Sequence, residues 1–386
     1  MTLIAFAALP AYGHVYPLLP LAEALQRAGA EVSVAVGPPF LGSLPLPTVP
    51  GIEPDLTLDR QAEVFERFPQ VREDMAARWG PAFFGDVSAR RVLPVLREQW
   101  GRDRPDLVIY EVLNVGASVA ADQLGVPSVA FGLGHFQPRF ASLAAVAADA
   151  TAPAGPSGLP WEVAASAVET SRDRPYLDPM PPSLQLGPVD LLTERMPLRP
   201  VGWHDPGAEA TAVPPHRPDG PPRVYITLGT VAYGAVEVLR QATLEAAALG
   251  AEVVVACGPH GDPELIGPVP DNVHLSRYLP QAALLPTVDV VVHHGGAGTM
   301  LTSAAHGIPQ VVLPQGADQF RNAESVQAAG VGRAIRKETL ASGAVGEAIA
   351  ALLGECPERD RAAALRGEIA GMPSPDEVAT QLLHRL

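Results

Sequence analysis

Cysteine is almost missing: Cys257 and Cys356 are the only two in 386 residues. Two isolated thiols make neither a disulfide framework nor a metal cluster, which fits a reducing cytoplasm. Lysine is rarer still, with Lys337 alone among 27 basic residues, a bias that speaks of a GC-rich genome rather than of a site. The basic residues are outnumbered by 42 acidic ones, leaving a net charge of −15. Such a surface repels phosphate polymers and argues against a nucleic-acid partner. No apolar run approaches the roughly 18 residues of a membrane-spanning helix before glycine, proline or a charge interrupts it. The apolar start, Met1–Leu9, lacks a basic flank and a small-residue cleavage site, and reads as a first strand rather than a signal peptide. Collagen-like periodicity is also lacking, although proline and glycine number 42 and 36. With 47% hydrophobic and 18% charged residues, the chain is too apolar for disorder and long enough for two domains.

What is present is a rhythm of short apolar runs and helical stretches. Thr2–Leu9 predicts a buried strand. After the loop Pro10–His14, the stretch Pro17–Arg27 sets Leu18, Leu21, Ala22 and Leu25 on one helical face, and Gly29 ends that helix. Strands are predicted at Ala30–Val36, Pro105–Glu111 and Pro127–Leu133, with Asn114 capping a helix over Val115–Leu124. Residues 134–222 read as irregular, and Pro200–Pro222 alone holds seven prolines, as an extended linker would. The rhythm resumes with strands at Arg223–Val231, Glu252–Ala256, Val273–Tyr278, Asp289–His294, Gln310–Pro314 and Gly332–Ile335. At least two helices follow Ala341. The fold class expected is α/β, with two doubly wound Rossmann-like domains facing across a cleft. The divisions expected are 1–203, a linker over 204–222, 223–372, and a closing helix over 373–386. Parallel sheets bind ligands at the carboxyl ends of their strands, so the loops there are the places to look for chemistry.

The strongest of these loops follows Asp289–His294. His293, His294, Gly295, Gly296, Ala297, Gly298 and Thr299 run from a strand into a helix, and no acidic residue occurs from Val290 to Ala317. Glycines admit a ligand to the backbone, and free N–H groups at a helix start attract an anion. The competing reading is a turn used for tight strand–helix packing. Beyond the next strand, Asp318 and Gln319 offer a carboxylate and an amide suited to sugar hydroxyls, although locally Asp318 reads more simply as a helix N-cap. At the end of another strand, in Arg277–Gln281, Tyr278 can stack on a flat ring or serve as core. In the first half, His14 precedes a helix and can act as a base near neutral pH or play a structural part. Glu111, at a strand end, can hold that imidazole or be a solvated glutamate. Phe65, Phe68, Trp79, Phe83, Phe84 and Phe136 suit an apolar guest, and each suits a core equally well. The remaining histidines show no metal spacing. Asp-x-Asp, GxSxG and the Walker loop are absent, and Leu301 breaks the dinucleotide pattern GxGxxG.

Taken together, RYLPQxxLLP, HHGGAGT and GIPQVVLPQGADQFRNA resemble the family-1 nucleotide-sugar glycosyltransferases of the GT-B fold, and among them bacterial members that decorate natural products. The resemblance covers both ends of the chain. It implies that His14 is the base that deprotonates the acceptor hydroxyl. Glu111 falls where the family usually has an aspartate orienting that base. It implies donor binding by Thr230, Tyr278, Gln281, His293, Gly296, Gly298, Thr299, Asp318 and Gln319. Of these, Tyr278 lies against the pyrimidine and His293 on the diphosphate, and the pair Asp318–Gln319 holds the sugar. The closing helix would cross back to the first domain. The implied substrates are a UDP- or dTDP-sugar and a small hydrophobic acceptor, with no cofactor and no metal ligands, and a homodimer is compatible with the sequence. Two other readings stay open: a non-catalytic helper of a partner glycosyltransferase, and a nucleotide-sugar epimerase of the same fold. A nicotinamide oxidoreductase is more distant, given the broken fingerprint.

Overall fold

The computed structural model describes residues 1–53, 61–73, 75–136, 174–203, 213–216, 219–229, 236–258 and 261–386. They fall into two compact units. One comprises Met1–Met180, Leu186–Leu198 and Pro373–Leu386, the other Pro181–Gln185 and Arg199–Met372. The division at Leu198/Arg199 precedes residue 203, where the prolines suggest it. Of the stretch 204–222, only 213–216 and 219–222 are among the described residues.

The first unit is built on a seven-stranded parallel sheet: β1 (Leu3–Ala7), β2 (Glu31–Val36), β3 (Thr48–Pro50), β4 (Leu107–Glu111), β5 (Ser128–Phe131), β6 (Pro175–Asp178) and β7 (Glu194–Pro197). Their order is β3-β2-β1-β4-β5-β6-β7. Helix α1 (Tyr12–Val15) and helix α2 (Leu19–Arg27) follow β1, and α2 buries Leu21, Ala22 and Leu25 as the periodicity predicts. Beyond it, Gly29 takes φ +94°, a left-handed conformation that glycine adopts without strain. The helix Val115–Leu124 starts where expected, with the Ala117 N–H donating to Asn114 Oδ1 at 3.2 Å. The strand rhythm does not stop at residue 134, however. Strands β6 and β7 extend the sheet, but each has four residues and carries a proline, which hides it in the sequence. Buried Asp178 ties them, accepting from Arg195 Nε on β7 at 2.7 Å. The helix Pro375–Leu383 belongs to this unit, packs on α2, and has a Ser374–Glu377 capping box; Arg27 donates to Asp376 at 2.7 Å.

The second unit holds six parallel strands: β8 (Arg223–Thr227), β9 (Glu252–Ala256), β10 (Val273–Ser276), β11 (Val290–His293), β12 (Gln310–Val312) and β13 (Gly332–Ala334), in the order β10-β9-β8-β11-β12-β13. Alternation along the strands divides its interior. Val224, Ile226, Val253, Val255, Val290 and Val292 join one core, while Tyr225, Val254 and Val291 join another. Both faces are therefore covered, which is why these strands read as unbroken apolar runs.

In each sheet the chain order reverses once. It does so between β1 and β4 in the first unit and between β8 and β11 in the second. Loops leaving two such strands diverge and leave a crevice at the carboxyl edge.

Candidate active site

His14 and Glu111 meet at the reversal of the first sheet. Ala7, the last residue of β1, is level with Tyr110 on β4, so Glu111 stands one residue beyond the end of its neighbour. Ala11 is extended and starts α1, which brings His14 back over the edge, its N–H bonded to the Ala11 carbonyl at 3.0 Å. His14 Nδ1 lies 3.0 Å from Glu111 Oε1. The histidine side chain is 14% exposed and the glutamate 0%. Glu111 is thus no solvated strand end. Its Oε2 accepts from the Leu113 N–H at 2.7 Å, and its Oε1 also faces the Leu9 N–H at 3.4 Å. A buried carboxylate needs such donors. With a carboxylate on Nδ1, the neutral ring carries its proton there, and Nε2 keeps a lone pair. Nε2 makes no hydrogen bond among the described residues.

The second cluster forms at the reversal of the other sheet. Thr227, His293 and Val312 end β8, β11 and β12 at one level, so the loops after them share an edge. The helix Ala297–His306 opens at Gly296 with no side-chain cap and no acid in its first turn. The Met300 N–H makes the first helical bond, to the Gly296 carbonyl at 3.0 Å, leaving the N–H groups of Ala297, Gly298 and Thr299 ahead of it. Gly298 is exposed and has open space where a Cβ would stand. Gly295, at φ +93°, lets this turn meet the next loop. A Cβ there would lie 2.9 Å from the Gln319 carbonyl oxygen. The contact brings Asp318 and Gln319 beside the glycine turn. Asp318 stands at the N-cap position of its helix but makes no side-chain capping bond; its carboxylate accepts from Asn322 Nδ2 at 3.0 Å. Gln319 is buried, and its Oε1 accepts from the backbone N–H groups of Gln315 and Gly316 at 2.8 and 3.1 Å. Asn322 also donates to the Gly295 carbonyl at 2.7 Å, clasping the two loops together. Sequence reasoning passed over this asparagine.

The two histidines of the turn do different things. His293 is the residue expected on a diphosphate, but it is 0% exposed. Its Nε2 faces Gln310 Oε1 at 2.8 Å, and its Nδ1 accepts from the Gly295 N–H at 3.0 Å. Both ring nitrogens are engaged in holding the turn, because the last residue of β11 still points into the covered face. His294, one residue on, is half-buried and sits between two glycines. A Cβ on Gly229 or Gly296 would stand 2.4 or 2.5 Å from its ring. Its Nδ1 is buried and makes no hydrogen bond among the described residues. The period-two alternation of a strand, carried one residue further, is the signal that would have singled it out. Tyr278 is half-buried just beyond β10, and Gln281 Nε2 donates to the buried Tyr225 hydroxyl at 3.3 Å. Thr230 lies outside the described residues. Among the aromatics, Phe68, Phe83 and Phe136 are core.

Burial, with help from the adjacent His294, pushes His293 down to about 3. Burial lowers His294 to about 4 against the pull of the Thr227 backbone. In the unfolded chain both titrate near pH 6.5, so between those values the unfolded state binds more protons. Their stabilising contribution is present above about pH 6.5 and is lost as pH falls towards 4 and then 3. Thermal melts should lose on the order of a few kcal/mol across that window, and His293→Gln should flatten the slope. A melting temperature unchanged from pH 7 to 4 would contradict these neutral rings.

Residues 240–384 match the family described as "Erythromycin biosynthesis protein CIII-like, C-terminal domain". The chain is 33% identical to the L-demethylnoviosyl transferase of Streptomyces niveus, over 98% of this chain and 97% of that one. It belongs to the natural-product glycosyltransferases. Solved structures agree on the architecture. The glycosyltransferase SnogD from Streptomyces nogalater superposes with a TM-score of 0.76 at 26% identity, covering 100% and 99% of the two chains. SsfS6 of Streptomyces sp. SF2575, complexed with thymidine diphosphate, gives 0.73 at 25% identity over 100% of both. This glycosyltransferase therefore has the GT-B fold, with one doubly wound domain in each unit. No described helix is long and apolar enough to cross a membrane.

Proposed function

We propose that this glycosyltransferase moves a sugar, deoxygenated or not, from a dTDP- or UDP-sugar to a hydroxyl of a small hydrophobic acceptor, with inversion and with His14 as general base. The observation that carries the reading is the His14–Glu111 pair: a buried carboxylate on Nδ1 at 3.0 Å and an uncommitted Nε2 at the mouth of a strand-order reversal. The acceptor hydroxyl gives its proton to Nε2. Its oxygen bonds to the anomeric carbon as the bond from that carbon to the diphosphate oxygen breaks, and the electron pair leaves with the diphosphate. Glu111 stabilises the imidazolium and keeps the ring in the useful tautomer.

The second unit carries the leaving group. Charge growing on the diphosphate meets the amides of Ala297, Gly298 and Thr299 and the ring of His294, in a turn free of acids. His293 supports that turn from within. Asp318 and Gln319 hold the sugar, and Tyr278 the pyrimidine. The thymidine diphosphate complex of SsfS6 supports a dTDP donor.

Glu111→Gln is expected to lower kcat by about 10²-fold or more, since an amide neither enforces the tautomer nor stabilises the cation. Its affinity for dTDP, measured by calorimetry, should match the wild type. Wild-type turnover in the variant would remove Glu111 from the mechanism. Product formation that requires an acceptor separates the reading from an epimerase, and activity of the purified chain alone separates it from a helper.

A further inference from the structure

Among the described residues, Phe84 lies against the proposed base. After the helix Met75–Ala82 the chain makes a π-helical turn, Phe83–Ser88, in which Phe83, Gly85, Asp86, Val87 and Ser88 are all buried. Phe84 is the exception, and it is half-buried. Its ring centroid lies 6.1 Å from that of His14, with the planes tilted by 34°. Behind it Phe83 meets it edge-on at 5.0 Å, so the ring is braced from the core side. The turn itself is pinned by Asp86, 2% exposed, which accepts from Arg67 Nε at 2.7 Å and pairs with Arg90 one helical turn on. A π turn widens the helix by one residue and recurs at functional sites. Here it leaves one ring of an otherwise buried run half-buried, packed on its inner side against the core and lying beside the imidazole.

We infer that Phe84 is a specificity-determining residue for the acceptor, and that the acceptor class it selects is planar and aromatic, with the reacting hydroxyl on or beside the ring. The inference rests on the proposed role of His14. A flat ring carrying its hydroxyl to Nε2 can lie offset on Phe84, an arrangement aromatic pairs favour over the burial of an equal aliphatic area. A saturated acceptor of the same size receives the burial without the ring pairing.

The test uses the full chain with dTDP-glucose, and 2-naphthol against decahydro-2-naphthol as acceptors. Binding of both alcohols in the presence of dTDP is measured alongside turnover. The wild type should prefer 2-naphthol by about three- to tenfold in kcat/KM or in Kd, the range an aromatic pair is worth. Phe84→Leu should bring the two acceptors together, the change falling on KM for 2-naphthol rather than on kcat, and Phe84→Tyr should restore the preference. Equal use of both alcohols by the wild type would overturn the inference. So would binding of neither, or a preference that survives Phe84→Leu in a variant with wild-type melting temperature. Failure of the base assignment looks different: His14→Ala would then keep its turnover while the naphthol preference persisted.

Discussion

His14→Ala is expected to lower turnover by about 10²–10⁴-fold, the range for losing a positioned general base. The affinity for dTDP should stay at its wild-type value, because His14 and the glycine turn belong to different units of the chain. Without Nε2 the acceptor must shed its proton to water as its oxygen attacks. On the proposed mechanism the residual rate would come from the donor side, with the amides at Gly298 and Thr299 stabilising the leaving diphosphate. His14→Gln keeps polarity and bulk without a usable lone pair of imidazole basicity, and should fall with the alanine variant. Single-turnover kinetics at saturating donor and acceptor measure the chemical step directly. A rate within a fewfold of wild type would take the base from His14.

His294→Ala should weaken dTDP binding by about 10- to 100-fold, which corresponds to the 1.5–3 kcal/mol of a hydrogen bond to a charged group. His293→Ala should act differently although it is the adjacent residue. It removes the partner of Gln310 Oε1 and of the Gly295 N–H, both buried, so its main effect is a lower melting temperature by the cost of two orphaned groups. Gly296→Ala gives an independent check on His294. The new Cβ would stand 2.5 Å from the His294 Nε2 at an ordinary backbone conformation, so the ring must move while the helix start remains intact. Calorimetric titration with dTDP separates these outcomes. If His293→Ala lost dTDP affinity at unchanged stability and His294→Ala did not, the assignment of the two rings would be reversed.

Much of this architecture was legible in the chain. Buried parallel strands are apolar through their centres, and runs such as residues 224–226 and 253–256 declare themselves for that reason. Asn114 announced its helix because an N-cap needs a side-chain acceptor there. Strands β6 and β7 were hidden, since four residues that include a proline carry too little pattern to separate from loop. The motifs mark stretches that the fold brings to the two strand-order reversals, but they do not give the orientation of each side chain. Which of His293 and His294 turns inward depends on where β11 ends, and a boundary one residue off reverses the answer. The depth of Glu111 depends on the stagger between β1 and β4, a tertiary property. Asp318 reads as a cap from its neighbours alone. The Asn322 amide and the close approach of Gly295 to Gln319 are what draw it to the glycine turn.

The stereochemistry of the product tests the single displacement most directly. A donor of α configuration, dTDP-α-D-glucose, is incubated with the chain and 2-naphthol, and the anomeric proton of the isolated glycoside is read by NMR coupling. One in-line attack with His14 as base predicts the β-glycoside alone. An α-glycoside, which requires retention through an intermediate or an internal return, would contradict it.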